Sequence, residues 1–380
     1  MTERILVAMS GGVDSSVAAA RLVAAGWDVV GVTLHLWDYP DDGSVKGRCC
    51  APEDIHDARR VADKLGISHY AFDRRELFER EVVAPFVESY LEGETPSPCV
   101  RCNRGVKLRE LLTLADRLEA SRIATGHYAR VDHSLPVPRL KRAVDRQKDQ
   151  SYFLHMLGRS ALERLVFPLG ESTKAEVRAE AAALALPGAL KGESQELCFV
   201  PTGRYDELVR ARAGDRARPG PIVDATGRQV GQHDGLYRFT VGQRKNLGIA
   251  LGERAYVVRL DGATDTVHLG ARTELEAVGA ELTDVTLAEG VTLPLQVGVA
   301  VRYRGVETPA QLTERAAGRV EVRFETPVRA VVPGQVAVFY DGDTVVGGGT
   351  IVRPLLHDAA HDTTRTADAR RPSESAEAAP

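Results

Sequence analysis

The stretch SGGVDSS, residues 10–16, joins two glycines, three serines and an aspartate within seven positions. At a strand-to-helix turn these residue types can hold a phosphate. Glycines let the backbone approach the anion, and free N–H groups and the helix dipole attract it. The flanks supply such a turn: Arg4 to Met9 reads as a short buried strand, and Val17 to Ala25 has apolar residues at helical spacing before Gly26. No lysine follows Gly12, so this is not the G-x-x-x-x-G-K-[ST] loop of Walker NTPases. A tight turn with serine caps is the competing reading.

The second group of reactive side chains is the thiols. Cys99 and Cys102 form a C-x-x-C, with Pro96 and Pro98 holding the approach extended. A helix is expected from about Asn103, which would leave both sulfurs just before its N-terminus, beside Arg101 and Arg104, where thiols ionise more readily. Cys198 stands alone about a hundred residues on, and Cys49 and Cys50 are adjacent in a polar loop. Three uses compete. Zinc would take Cys99, Cys102 and Cys198 with one of the pair at 49–50, but no second C-x-x-C supports it, and no metal ligands are assigned. Buried structural thiols are the preferred reading for Cys49 and Cys50. Sulfur transfer would make one of Cys102 and Cys198 a persulfide carrier and the other its attacking partner. Spacing does not choose among them.

The chain that must position these groups has 380 residues, long enough for two or three domains. With 43% hydrophobic and 27% charged residues it has the composition of a soluble globular protein. No apolar run approaches the ~20 residues of a membrane span, and the start lacks the pattern of a secretory signal. Five cysteines without an export signal suggest reduced thiols in a cytoplasmic protein. The net charge of −4 gives no global basic field, so nucleic acid would have to be held by local clusters. One is Arg101, Arg104, Lys107 and Arg109; the other is Arg139, Lys141, Arg142, Arg146 and Lys148. Either, taken alone, is also what a solvated face looks like.

Strand-like and helix-like segments alternate over the first two hundred residues: strands at 28–34, 68–72 and 121–128, helices at 53–65 and 76–91. The pattern predicts an α/β fold with a doubly wound parallel sheet, whose ligands collect at the carboxyl ends of the strands. Ser10 to Ser15, Leu34 and Gly126 all fall there. After about residue 200 short alternating runs punctuated by Asp-Gly and Thr-Gly predict antiparallel hairpins. The expected domains are 1–200, catalytic; 201–272, small, central and β-rich; 273–355, a C-terminal β-barrel; and 356–380, a disordered tail.

Seven motifs in order carry a resemblance: SGGVDSS, PSPCVRCNR, ATGHYAR, KDQSYFL, ELCF, FTVGQRKNLG and RYRG. The first resembles the PP-loop of the ATP pyrophosphatases, which cleave ATP between the α- and β-phosphates. The whole set, from residue 3 to about 355, resembles the bacterial tRNA-specific 2-thiouridylases. The resemblance implies that Ala8, Met9, Ser10, Gly11, Gly12, Val13, Asp14 and Ser15 bind ATP, with Leu34 and Gly126 bordering adenine and ribose. It gives Asp14 the task of orienting the loop or helping to hold Mg2+. It implies a persulfide on Cys198 and a nucleophile at Cys102, which form a transient disulfide. It places tRNA on Lys148, Asp149, Gln150, Tyr303 and Arg304, and less strongly on His127 and Gln335. A cysteine desulfurase or sulfur-relay protein is the implied donor, and a monomer the default. Many members carry an aspartate, proposed as acid or base, where this chain has Cys99. A thiol near its reference pKa of about 8.5 donates a proton poorly, though a depressed one would serve as a base. Lining of the uridine pocket is the other role open to Cys99. Other PP-loop synthetases need no redox-active thiol pair, and a non-catalytic RNA- or zinc-binding module needs no intact loop.

Overall fold

Apolar runs with few polar breaks form strands that can be covered on both faces, and the first third of the chain is built from them. The structure is a computed structural model and describes residues 2–38, 52–189, 197–200, 203–249 and 254–356. Cys49, Cys50 and residues 357–380 lie outside the described residues. The strands of the first domain are β1 (Arg4–Ala8), β2 (Asp28–His35), β3 (Ser68–Asp73), β4 (Arg122–Thr125), β5 (Ala129–Asp132), β6 (Arg139–Arg142) and β7 (Leu165–Val166). Five of them pair in parallel in the order β3-β2-β1-β4-β7. Helix α1 (Val13–Ala24) and helix α2 (Pro52–Leu65) cover one face, with Val7, Ala19, Leu22, Ala58 and Val61 in one core. The other face buries Leu6, Phe78, Val82, Phe86, Leu111, Leu114 and Ile123 against helices at 75–91 and 98–117. Chain order reverses between β1 and β4, and the crevice above their carboxyl ends is where such a sheet binds ligand.

The helix after the prolines begins earlier than Asn103. Its first turn is Pro98–Arg101, a wider π turn follows at Cys102–Lys107, and Leu108–Arg117 completes it. Proline suits the first helical position, since its missing N–H has no intrahelical partner there. Both thiols of the C-x-x-C are therefore inside a helix.

The central sheet holds β8 (Gly220–Val223), β9 (Gln229–His233), β10 (Tyr256–Asp261) and β11 (Thr266–Gly270) over Ile222, Leu236, Phe239, Val257 and Leu269. Its order is β10-β11-β8-β9, and β11 lies parallel to β8, so the purely antiparallel expectation fails at that one junction. The last domain is a closed antiparallel barrel of β12 (Glu276–Leu287), β13 (Leu295–Ala300), β14 (Thr308–Glu314), β15 (Val320–Arg329), β16 (Val336–Asp341) and β17 (Thr344–Leu356). The order β12-β15-β14-β13-β16-β17 is closed by pairing of β12 with β17. An Asp-Gly turn also joins β16 to β17, with Gly342 at φ 54°. β17 ends at Leu356, one residue into the expected tail. The hairpin β5–β6 leaves the parallel sheet and extends the barrel's sheet: Lys141 pairs with Thr344, and Arg142 N–H donates to the Asp343 carbonyl at 2.8 Å.

Candidate active site

The loop after β1 is fixed by its own small residues. Gly11 has φ 70°, and a Cβ there would lie 2.3 Å from the Asp54 carbonyl oxygen at the start of α2. Gly12 caps α1 with an extended backbone. Ser15 Oγ accepts from Ser10 N–H at 3.1 Å and donates to the Gly12 carbonyl at 3.1 Å, while Ser16 Oγ donates to the same carbonyl at 2.9 Å. Met9 is anchored below: its N–H donates to Val32 and its carbonyl accepts from Thr33 Oγ1 at 2.7 Å. Ala8 lies in register between Val32 and Thr125, and Val13 is buried. Gly126, after β4, closes over the loop so tightly that a Cβ would sit 2.8 Å from Ser15 N. The Leu34 side chain packs in the core, which leaves its backbone as the part at the strand end. The expected loop residues and Gly126 thus meet at the crevice between β1 and β4.

Asp14 carries more than the sequence suggested. Its carboxylate receives Lys174 Nζ at 2.7 Å on each oxygen and the Tyr128 hydroxyl at 2.9 Å. A Mg2+ ion takes hard oxygen ligands, and here it would have to displace an ammonium already seated on that carboxylate. A role for Asp14 as magnesium ligand therefore requires that Lys174 first leave its carboxylate. Among the described residues no three His, Cys, Asp or Glu side chains are grouped to hold a metal, the Cys99, Cys102 and Cys198 set included. Sequence reasoning missed Lys174, but a signal existed. Thr173-x-x-Glu176 is a capping box, and a lysine at the first helical position opposes the helix dipole.

Cys102 is buried at the head of the π turn, and Cys198 packs against the same core. Cys99, Cys102 and Cys198 are not joined in any disulfide. Burial pushes the Cys102 thiol up to about 11, only partly offset by the nearby Lys107 ammonium. Cys99 is open to solvent on one side, yet the protein packed around it raises its thiol as well. The expectation of readily ionised thiols at a helix start is thus overturned, because desolvation outweighs the neighbouring charge. Cys99 also lacks the depressed pKa that a thiol base would need. Cys198 stands on a turn, with Val200 N–H donating to the Leu197 carbonyl. The turn is fixed by Phe199, whose ring meets Trp37, Phe78 and Phe86 edge-on at 5.1 to 6.1 Å. Half-buried His127 bonds Thr125 Oγ1 at 2.7 Å, and burial followed by the Lys107 charge drives it down to about 3, a neutral ring.

A groove of about 440 Å³ opens between the first domain and the barrel. Arg142, Arg146, Lys148, Arg302 and Arg304 line it with Asp149, Tyr303 and Tyr340. Lys148, Asp149, Tyr303 and Arg304 are thus brought together from residues far apart in sequence. Tyr303 rests 4.4 Å from the Phe153 ring, and Arg304, in a left-handed conformation at φ 56°, lies over Tyr303. Asp149 and Gln150 are largely turned inward. Asp149 caps Ala143 N–H and Ser151, while Gln150 exchanges hydrogen bonds with the Tyr128 backbone. Gln335 bonds the Thr95 and Pro96 carbonyls and so clamps the barrel onto the segment before Cys99. The basic run 139–148 is no merely solvated face either. Arg142 pairs with Glu307 and covers the Tyr340 ring at 3.5 Å, and Arg146 pairs with Asp343, so these cations also dock the barrel.

Sheet order, loop and switch-point crevice define a nucleotide-binding α/β domain, here joined to a small β domain and a barrel. Family models agree with that division. The tRNA methyl transferase HUP domain matches residues 3–202, the tRNA methyl transferase PRC-barrel domain 210–271, and the aminomethyltransferase beta-barrel domain 281–351. Full-length relatives are more specific. The tRNA-specific 2-thiouridylase MnmA of Sorangium cellulosum is 62% identical over 362 residues, covering 94% of each chain. That of Roseiflexus castenholzii is 48% identical over 92% of this chain and 99% of its own, and that of Methylobacterium radiotolerans 49% over 92% and 94%. This chain belongs to the tRNA-specific 2-thiouridylase family.

Proposed function

We propose that this chain replaces the C2 oxygen of the wobble uridine of tRNA with sulfur, at the expense of ATP. A carbonyl oxygen at C2 is a poor leaving group, so it is first adenylated: it attacks the α-phosphorus of ATP, the bond to the β-phosphate breaks, and pyrophosphate leaves. Sulfur then attacks C2 and AMP departs. Cys198 carries that sulfur as a persulfide received from a cysteine desulfurase or a relay protein. Cys102, as thiolate, attacks the Cys198 sulfur and releases the outer sulfur, either as hydrosulfide or already bonded to C2. Both routes end in a Cys102–Cys198 disulfide, which an external dithiol reduces in a reducing cytoplasm. The loop from Ala8 to Ser15 cradles the triphosphate through backbone N–H groups and serine hydroxyls, and Leu34 and Gly126 border the adenine and ribose. Lys148, Tyr303 and Arg304 hold RNA, and Lys107 is the cation available to favour the Cys102 thiolate. The wobble base must leave the anticodon stack to reach such a site, which a cleft between domains permits.

One observation carries the reading: a loop at the β1–β4 crevice, two thiols packed on the core of the same domain and a basic groove against the barrel occur in one chain. The names of the relatives supply the substrate class. The test incubates the chain with ATP, magnesium, a sulfide source and unmodified tRNA of the lysine, glutamate or glutamine type. 2-Thiouridine with AMP is expected. A methylated base, or AMP without thiolated tRNA, would overturn it.

A further inference from the structure

The loop after β1 has no lysine of its own, yet the fold brings it one from 160 residues away. Lys174 opens the helix Lys174–Ala183, an end where a cation works against the helix dipole. Its side chain is only 12% exposed, and its Nζ is 2.7 Å from both oxygens of Asp14, the second residue of α1. The helix is held in place for this. Arg21 of α1 bonds Glu180 with two nitrogens and also donates to the Pro168 carbonyl and Ser172 Oγ. Lys174 N–H donates to Asp145 at 3.0 Å. Four contacts thus fix where one ammonium stands at the mouth of the phosphate loop. A nearly buried lysine so heavily positioned is poorly explained as a surface ion pair.

We propose that Lys174 is the phosphate-gripping lysine of this site, held ready by Asp14 as its counter-ion. Its N–H groups pass to the β- and γ-phosphate oxygens when ATP enters the loop, and stay with pyrophosphate as it leaves. The inference rests on the adenylation reading above. In that step the oxygen–phosphorus bond to uridine forms while the α–β bond breaks. The electron pair goes to pyrophosphate, where an ammonium offsets the growing charge and transfers no proton.

The test is calorimetric titration of the whole chain with ATP, pyrophosphate and AMP, each in EDTA and again with magnesium. Lys174→Met should weaken ATP and pyrophosphate about 10- to 100-fold, the loss of one charge-assisted contact, and leave AMP within about twofold. Because that variant strands the Asp14 carboxylate, Asp14→Asn combined with Lys174→Met is titrated too, with the same loss expected. Asp14→Asn alone keeps the cation without its counter-ion, and in EDTA it should lose less ATP and pyrophosphate affinity than Lys174→Met does. Unchanged ATP and pyrophosphate affinity in the Lys174→Met variants would overturn the proposal, as would an equal loss for AMP. A defect of Asp14→Asn confined to magnesium would make Asp14 a metal ligand and overturn the counter-ion role. Failure of the adenylation reading looks different: the parent chain binds ATP and pyrophosphate but never releases pyrophosphate with tRNA present.

Discussion

The phosphate loop and the thiol pair border the same sheet but are built on different plans. The loop is a closed construction. Glycines at 11 and 126 seat it against α2 and β4, and its serines satisfy one another. The thiols share only a hydrophobic core, one buried within a π turn and one half-buried next to Phe199 in the chain. The contrast matches the two tasks proposed above. Phosphate stabilisation works best on a framework already in place, and here the bonds within the loop fix its backbone. A sulfur carrier must be met by another protein and then deliver to a base, so it cannot be sealed on all sides.

The comparison breaks most sharply at the cysteines. Cys198→Ser and Cys102→Ser should each abolish 2-thiouridine while leaving pyrophosphate release intact. Mass spectrometry after exposure to desulfurase and cysteine should find persulfide in Cys102→Ser but not in Cys198→Ser. Zinc bound stoichiometrically by the parent chain and lost in both would sink the sulfur reading. The reverse defect should come from Gly126→Ala. A methyl group 2.8 Å from Ser15 N must push the loop aside, at a cost of about 1–3 kcal/mol. ATP affinity should fall about tenfold or more for that cost, with persulfide loading unchanged; normal ATP binding would show that the loop tolerates displacement. The smallest effect sharpens the chemistry of Cys102. Its thiol is raised to about 11, so the thiolate fraction climbs about tenfold per pH unit between pH 7 and 9. Alkylation of Cys102 by iodoacetamide, followed by peptide mapping, should rise with that slope and shift to higher pH in Lys107→Met. A rate already flat at pH 7 would contradict the buried-thiol account. The sign for stability is the opposite. A raised thiol favours the fold fully below its unfolded value, and that contribution fades as pH climbs toward 11.

The parallel sheet, the loop and Gly126 were legible because their signals are local: apolar runs, glycines at turns and serines beside a helix start. The barrel was legible from its hairpins. The C-x-x-C helix starts earlier than its apolar pattern, because proline, which also suits an extended approach, begins this helix at Pro98. The thiol acidity was misread, since sequence shows neighbouring charge but not desolvation. Lys174 left only the weak signal of a cation at a helix start, because its partner Asp14 lies across the fold. The same holds for Arg142 and Arg146, which read as an RNA patch but also pair with Glu307 and Asp343 of the barrel. Long-range pairing decides what a charged side chain does, and spacing along the chain does not contain it.

The hairpin β5–β6 has a further consequence, for how the chain avoids aggregation. A two-stranded ribbon projecting from a parallel sheet would present unpaired N–H and C=O groups along its edge, the surface on which copies of a chain associate. Here β17 pairs with β6 at Thr344 and Lys141, Arg142 N–H bonds the Asp343 carbonyl, and Arg130 and Arg146 fasten the turn at Asp343. The barrel thus covers the end of β6 next to Asp343, and a chain interrupted before β17 would leave that end unpaired.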